Sequence, residues 1–481
     1  MADLTVRQTG RMRTRPPIRA ALVLLAVLAG CSSGPTGGSA SPPPTPRLAT
    51  PTAGTATPSA SLPASITGWL QYHGNGQRTG NVAGLPAAGR LSVAWSARLS
   101  GAVYGQPLVI GTTVVAGTEA GDAVYGLDLA TGAVRWHTSV GTAASTSEQP
   151  CGNVSPLGIT STGVYDQQTG LVYFVGQSGR SEHVLVGIDP ATGAIKVKQD
   201  VPSPDHQPFY DQQRGALALD NGYIDVVFGG HFGDCGPYIG SVVGMPASGQ
   251  GPVRSYLVPT SSQGGIWAAG GPVVGPDGTL YVSVGNGAST ETRYDGSNSV
   301  TALTPALQRT GFFAPGNWRA LSAADLDVGS MSPALLADGQ ILQVGKDGTG
   351  YLLSAAHLGG VGGQLASGRV CAAFGGAAVS GTIVYVPCLL GGMAAVETAG
   401  NRVRVLWRGP SAGAGSPVIG GGAVWVAGPG DGVLYELDPA TGAVRQHISV
   451  AGMLPHFVSP SLAGGLVLIG TMTGVTAVSG A

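Results

Sequence analysis

The chain has 481 residues, of which 81 are glycine and only 10% are charged, and its formal net charge is −1. Beyond residue 30 there is no run of lysine or arginine, so nucleic acid is not an expected partner. Low charge together with abundant glycine, valine and threonine favours many short strands joined by tight turns.

Residues 1–30 form the first element, a predicted signal peptide. Five arginines precede the apolar run Ala20 to Leu28, which is too short to span a bilayer as a stable helix. The run leads into Leu28-Ala29-Gly30-Cys31, which resembles the lipobox of bacterial lipoproteins. That resemblance implies that Cys31 is acylated and becomes the mature N-terminus, and the alternative is an ordinary secretory cleavage site. We expect the mature protein to be lipid-anchored on the extracytoplasmic face of the cell membrane.

Residues 31–65 consist almost entirely of Ser, Pro, Thr, Gly and Ala, with Arg47 as the only charge. Such a segment cannot bury enough apolar area to offset the entropy of ordering, so we predict a disordered tether. The remaining residues 66–481 would suffice for two or three domains, but internal repeats must be considered before a domain count.

Three segments of the chain nearly copy one another: Tyr125 to Trp136, Val186 to Val197 and Tyr435 to Gln446. Each reads as a strand, a turn containing Asp and Thr-Gly, and a second strand. In that turn Asp and Thr can bond backbone groups while Gly adopts positive φ. Another strand pair precedes each copy, and four strands at a spacing of roughly 40–60 residues predict propeller blades.

Inner strand pairs indicate eight blades, which start near Tyr104, Leu157, Gly215, Gly270, Met331, Ala372, Ser416 and Val458. The eighth blade lacks a fourth strand, whereas the segment Leu91 to Leu99, with Trp95, matches an outer strand and has no blade of its own. We therefore predict an all-β, eight-bladed β-propeller over residues 66–481, closed by this N-terminal strand and monomeric. Seven blades is the alternative.

The repeat resembles that of pyrroloquinoline-quinone (PQQ)-type β-propellers, a group that includes quinoprotein alcohol dehydrogenases and an outer-membrane assembly lipoprotein. Trp69 to Gly80 resembles the group's lead-in segment, and the segments around Trp267, Asp325 to Ser330 and Lys346 are similar to polyvinyl-alcohol-dehydrogenase-like proteins. For an enzyme, the resemblance implies PQQ over the channel mouth, Ca²⁺ held by carboxylate and amide oxygens, and an aspartate base. The sequence contains neither a Cys-Cys pair nor a CxxCH haem motif, and both absences count against an enzyme.

Besides Cys31 the chain has four cysteines, which allow three disulfide connectivities. Cys371 and Cys388 lie nearly symmetrically about the turn Ser380-Gly381, which would place them on adjacent antiparallel strands within disulfide reach. Cys151 and Cys235 would then pair by elimination. We favour this connectivity, since an oxidising compartment permits it.

Candidate chemistry begins with His231 and Asp234, in a glycine-rich loop, which could act as base and orienter. The alternative is that both satisfy local backbone groups. Trp267 could stack on a flat ligand such as PQQ, or simply pack between blades.

Closely spaced oxygen ligands for a hard cation occur at Asp325 and Asp327, to which Asp295 and Asn298 could add two more. Turns stabilised by these side chains are the alternative. Lys346 lies in a tight turn, as is typical of a solvated charge. The HExxH metalloprotease motif and the nucleotide-binding Walker loop are absent.

Two functions compete. The first is a non-catalytic platform that binds an envelope protein or a small molecule at the propeller mouth, with no cofactor required. The second is a PQQ- and Ca²⁺-dependent dehydrogenase that oxidises an alcohol or sugar. We rank the platform first.

Overall fold

A computed structural model describes residues 68–288, 292–410 and 413–480. The predicted signal peptide, Cys31 and the tether lie outside these residues. The described chain forms eight sheets arranged as a ring, each with a core of four antiparallel strands, which confirms the predicted eight-bladed propeller. From the innermost strand outward, the blades comprise Leu108–Ile110, Thr113–Thr118, Ala123–Asp128 and Val134–Ser139 (blade 1); Val164–Asp166, Leu171–Ser178, Glu182–Ile188 and Ile195–Asp200 (blade 2); Ala218–Asp220, Tyr223–Gly230, Ser241–Pro246 and Arg254–Leu257 (blade 3); Val273–Val274, Leu280–Val284, Ser299–Leu303 and Arg309–Ala314 (blade 4); Ala334–Leu335, Gln340–Val344, Thr349–Ser354 and Ala366–Arg369 (blade 5); Ala378–Ser380, Ile383–Pro387, Met393–Glu397 and Arg404–Gly409 (blade 6); Val418–Gly420, Ala423–Gly428, Val433–Leu437 and Val444–Ser449 (blade 7); and Ser461–Ala463, Leu466–Thr471, Gly474–Ser479 and Ser92–Arg98 (blade 8).

Short elements supplement the blades. Three additional strands pair with blades 1, 3 and 4, namely Gly68–Trp69, Asp211–Gln212 and Gly360–Val361. Among the described residues, the helical segments are one α-helix, Trp318–Ala323, and the 3-10 turns Tyr72–Gly74, Thr146–Glu148 and Val328–Ser330. Within the described ranges, no helix has the length and apolar character needed to cross a membrane.

Ring closure follows the prediction from the sequence. The strand Ser92–Arg98 pairs antiparallel with Gly474–Ser479, and Trp95 lies opposite Ala477. Both ends of the chain therefore share blade 8, which leaves its third strand paired on both sides rather than exposed at an edge.

The repeated motif joins neighbouring blades at three junctions of the ring. Asp128 accepts hydrogen bonds from the backbone and hydroxyl of Thr131, while Gly132 adopts a φ of +71°. The indole of Trp95, on the neighbouring blade, packs against this glycine and donates from Nε1 to the Leu129 carbonyl at 3.0 Å. The same arrangement pairs Trp136 with Gly193 and Trp407 with Gly442. A side chain at these glycines would collide with the tryptophan, so the repeat encodes blade-to-blade packing.

One face of the ring collects most of the candidate functional residues. Because neighbouring strands are antiparallel, the connection that leads into each innermost strand and the connection between the second and third strands lie on the same side. We call this side the entry face, and the opening of the central channel on it the mouth.

Residues 68–82 fill the channel beneath the mouth. Trp69 pairs with blade 1, the Thr79 carbonyl accepts from Val379 of blade 6, and Asn81 bridges to Ile419 of blade 7. Arg78 is 3% exposed, and its guanidinium donates to carbonyl oxygens of blades 3 and 4. The lead-in segment is therefore a plug that links opposite blades, and burial lowers the pKa of the Arg78 guanidinium to about 10.

Candidate functional site

Three aromatic side chains from different blades meet at the mouth. The ring centroid of Trp267 lies 6.1 Å from that of Phe374 and 6.3 Å from that of Phe457. Phe374 and Phe457 are nearly parallel, with centroids 6.1 Å apart. Since these residues precede the innermost strands of blades 4, 6 and 8, only the axis of the ring can bring them together. They form a partly exposed aromatic wall that suits a flat or apolar group.

Lys346 adds charge beside this wall. Its Nζ lies 5.5 Å from the centre of the Trp267 ring and bonds Asp325 at 2.8 Å and Asp327 at 2.5 Å. The lysine side chain is only 20% exposed, so it is not the solvated turn charge that the sequence suggested.

Electrostatics hold this group together. Burial raises the pKa of Asp327, although the attraction of Lys346 opposes the shift. Burial by itself would lower the pKa of Lys346, but the attraction of both aspartates outweighs it and the pKa is raised. The ammonium is therefore firmly charged and shared between two carboxylates.

Asparagines support the acidic pair. The backbone N–H of Asn286 donates to Asp327 at 2.5 Å and its side-chain amide donates to Asp325 at 2.7 Å. Asn298 donates to Ser322 Oγ at 2.9 Å and accepts from the Val328 N–H at 2.7 Å. Asn298 thus adjoins the cluster as a positioning residue that fixes the segment carrying Asp327.

Asp295 belongs to a separate local network. Its carboxylate accepts from the hydroxyl and backbone of Ser297 and from Thr260 Oγ1 at 3.0 Å. These contacts match the alternative interpretation, in which the aspartate stabilises its own loop.

A calcium site does not fit this arrangement. Ca²⁺ requires six or more oxygen ligands, whereas the Lys346 ammonium already occupies the position between Asp325 and Asp327. Both oxygens of Asp327 have donors, and the side-chain oxygens of Asn286 and Asn298 also accept hydrogen bonds. Nowhere in the described segments do three or more His, Cys, Asp or Glu side chains group closely enough to hold a metal ion.

His231 and Asp234 lie in the connection between the second and third strands of blade 3, and they do not form a dyad. Asp234 accepts from the Tyr238 hydroxyl at 2.6 Å. His231 is 1% exposed, its Nε2 has no partner among the described atoms, and burial lowers its pKa to about 4. The structure therefore keeps His231 buried and neutral.

Both favoured disulfides are present in the structure. Cys151 is joined to Cys235 with a Cα–Cα distance of 6.2 Å, which ties the loop of His231 to the connection between blades 1 and 2. Cys371 is joined to Cys388 with a Cα–Cα distance of 5.7 Å at the entry-face end of blade 6.

Sequence reasoning missed Arg214, Phe374 and Phe457. The Arg214 guanidinium lies 5.4 Å from the Phe457 ring and 5.9 Å from the Tyr104 ring, and it donates to the Thr160 carbonyl at 2.9 Å. A positional signal existed, because Tyr104, Arg214, Phe374 and Phe457 each lie four residues before an innermost strand. Aligning the blades on those strands would have placed all four at the mouth.

Comparison with known proteins agrees with this architecture. The family model described as outer membrane protein assembly factor BamB matches residues 76–289. No curated protein matches the chain.

Three solved structures illustrate the shared fold. Quinohemoprotein alcohol dehydrogenase ADHIIG from Pseudomonas putida HK5 is 14% identical with a TM-score of 0.66, over 86% of this chain and 80% of that one. A europium-containing methanol dehydrogenase is 16% identical with a TM-score of 0.64, over 84% and 90%. BamB from Moraxella catarrhalis is 15% identical with a TM-score of 0.56, over 81% and 99%. At these identities the likeness concerns the fold alone.

Proposed function

We propose that the protein, whose propeller resembles the PQQ type, is a non-catalytic binding module of the cell envelope. Its binding site is the mouth, where the wall of Trp267, Phe374 and Phe457 takes a flat or apolar group and Arg214 takes negative charge. The observation that carries the proposal is the convergence of these side chains from separate blades on one opening.

The state of the acidic residues supports binding over catalysis. A general base needs a carboxylate or imidazole that is free to take a proton at the site. Asp327 is 4% exposed and bonded to Lys346 and Asn286, while His231 is 1% exposed. Asp325, though exposed, shares the same ammonium.

PQQ- and Ca²⁺-dependent oxidation of an alcohol or sugar is the second candidate function. One observation favours it, namely that Trp267 lies over the same opening as Asp325 and Asp327. Bound PQQ would supply the redox chemistry, and Trp267 is the residue that would stack on it.

Reconstitution separates the two functions. Purified protein is incubated with PQQ, with and without Ca²⁺, and followed by its absorption band and by dye reduction with alcohols and sugars. We expect no dye reduction. Calcium-dependent PQQ binding with substrate-dependent dye reduction would replace our proposal with the enzyme.

Photo-crosslinking tests the binding role directly. A photoreactive amino acid replaces Phe457 at the mouth or, as the matched control, exposed Ala440 in a turn on the opposite face. We expect discrete adducts in intact cells from position 457 only, and their loss when Trp267 is also changed to Ala. Equal adducts from both positions would contradict a binding site at the mouth.

The lipid anchor is a further part of the proposal. Changing Cys31 to Ser should release or misprocess the protein, because acyl chains are its only expected hold on the membrane and a single chain binds marginally. Full membrane retention in cell fractionation would contradict the anchor.

A further inference from the structure

An exposed apolar surface borders the mouth over blades 6 and 8. We define the crescent as Leu389, Leu390, Met453 and Met472, which are 50%, 82%, 63% and 37% exposed. All four lie in connections on the entry face. Large apolar side chains exposed beside a candidate binding site are typical of an interaction surface.

The two leucines are presented by a rigid turn. The Cys388 N–H donates to the Gly392 carbonyl at 2.9 Å, and the disulfide to Cys371 fixes the base of the turn. Gly391 and Gly392 have φ values of +79° and +77°, a conformation that most side chains disfavour. Because the turn is held in this form, its leucines are preorganised for contact with a partner.

The crescent is continuous with the mouth. Leu389 donates its N–H to the Ala372 carbonyl at 2.9 Å, two residues before Phe374 in the aromatic wall. Met453 belongs to the same connection as Phe457, and Phe457 lies under the guanidinium of Arg214. Within the described ranges, no carboxylate lies at ion-pair distance from Arg214.

We propose that the crescent and Arg214 bind an apolar segment of a partner protein that carries an aspartate, a glutamate or a C-terminal carboxylate. The apolar side chains of the segment cover Leu389, Leu390 and Met453, and its carboxylate reaches Arg214 across the aromatic wall. This inference rests on the proposed function, because it identifies what the mouth binds.

The composition of the crescent favours a protein over a bilayer. No lysine or arginine occurs in the segments that carry the crescent, which are residues 388–392, 450–460 and 471–474. Surfaces that insert into anionic membranes combine apolar tips with basic residues, whereas the cores of protein interfaces are depleted of charge and enriched in Met and aromatic residues.

The test pans a random peptide library displayed on phage against the purified protein, and measures the affinity of enriched peptides by fluorescence anisotropy. Leu390→Asp alters the crescent, and Arg214→Gln removes the charge. Val444→Asp is the matched control, because Val444 is 43% exposed on the outermost strand of blade 7. Circular dichroism and the urea midpoint verify that each variant is folded.

We expect enriched peptides to combine clustered apolar residues with a carboxylate. Leu390→Asp should weaken them about tenfold or more, while Val444→Asp leaves affinity unchanged. Arg214→Gln should weaken the binding of acidic peptides and leave unchanged the affinity of peptides in which the acid is replaced by its amide.

The inference is overturned if no peptide is enriched, if the enriched peptides lack acidic groups, or if they bind Leu390→Asp as tightly as wild type. It is also overturned if the crescent binds vesicles of phosphatidylglycerol and phosphatidylethanolamine instead of peptides. The proposed function fails separately, when crosslinking from position 457 is no different from the control. If position 457 crosslinks but no enriched peptide depends on the crescent, only the proposed role of the crescent is refuted.

Discussion

Replacing Arg78 with Met should destabilise the propeller strongly, because the plug depends on a buried guanidinium. Arg78 donates to the carbonyl oxygens of Pro272, Tyr72 and Leu217 at 3.1, 3.0 and 2.7 Å. Each carbonyl that is left buried without a donor costs about 1–3 kcal/mol. Removing the desolvated charge offsets part of this loss, so we expect a net decrease of about 3 kcal/mol in the free energy of unfolding.

Urea unfolding followed by tryptophan fluorescence measures this decrease. Arg404→Met is the matched control, since the Arg404 side chain is 60% exposed and pairs with Glu397 at the surface. The control should change stability by less than about 1 kcal/mol. Limited proteolysis should also cleave residues 68–82 sooner in Arg78→Met. An Arg78→Met protein within about 0.5 kcal/mol of wild type would refute the view that the plug ties opposite blades together.

Two further predictions concern ring closure and pH. Trp95→Ala should lower the free energy of unfolding by about 3–5 kcal/mol, because the substitution leaves a cavity at the closing strand, where Trp95 is buried. Urea unfolding measures this decrease. A decrease of less than about 1 kcal/mol would contradict the role of Trp95 in closing the ring. Burial raises the pKa of Asp211 to about 8 in the folded protein, against about 4 when unfolded. Its contribution to stability is therefore present below pH 4 and is lost as the pH rises to 8, so Asp211→Asn should reduce the fall in melting temperature between pH 6 and pH 9. An unchanged fall would contradict this assignment.

Ring architecture could be predicted because the repeat encodes it locally. The Asp-Thr-Gly turn and the outer-strand tryptophan, as at Gly132 and Trp95, are two halves of one contact between neighbouring blades. Once the contact is recognised, an unpaired Trp-bearing strand at one end and an incomplete blade at the other require closure. Blade count and closure therefore follow from sequence patterns of short range.

The site was only partly predictable, because it is made by connections that do not repeat. Trp267, Asp325 and Asp327 were identified from short motifs, and the structure brings them to one opening. Arg214 and Phe457 carry no motif, and their meeting depends on the path of loops from blades 3 and 8. Their common position four residues before an innermost strand places both at the mouth, but it does not determine that their side chains meet there.

Lys346 provides the decisive test of the candidate site. Changing it to Met leaves Asp327 buried with no counter-ion, which should cost about 3–5 kcal/mol of stability. If the ammonium occupies the position that a divalent cation would need, millimolar Ca²⁺ should raise the melting temperature of Lys346→Met while leaving wild type unchanged. Lys346→Arg is the matched control, because it keeps the positive charge beside both carboxylates and should not respond to Ca²⁺. A clear Ca²⁺-dependent rise in wild type would contradict the view that the lysine excludes a metal from the two carboxylates. That result would remove the argument against a metal site, and reconstitution with PQQ would then decide between the two functions.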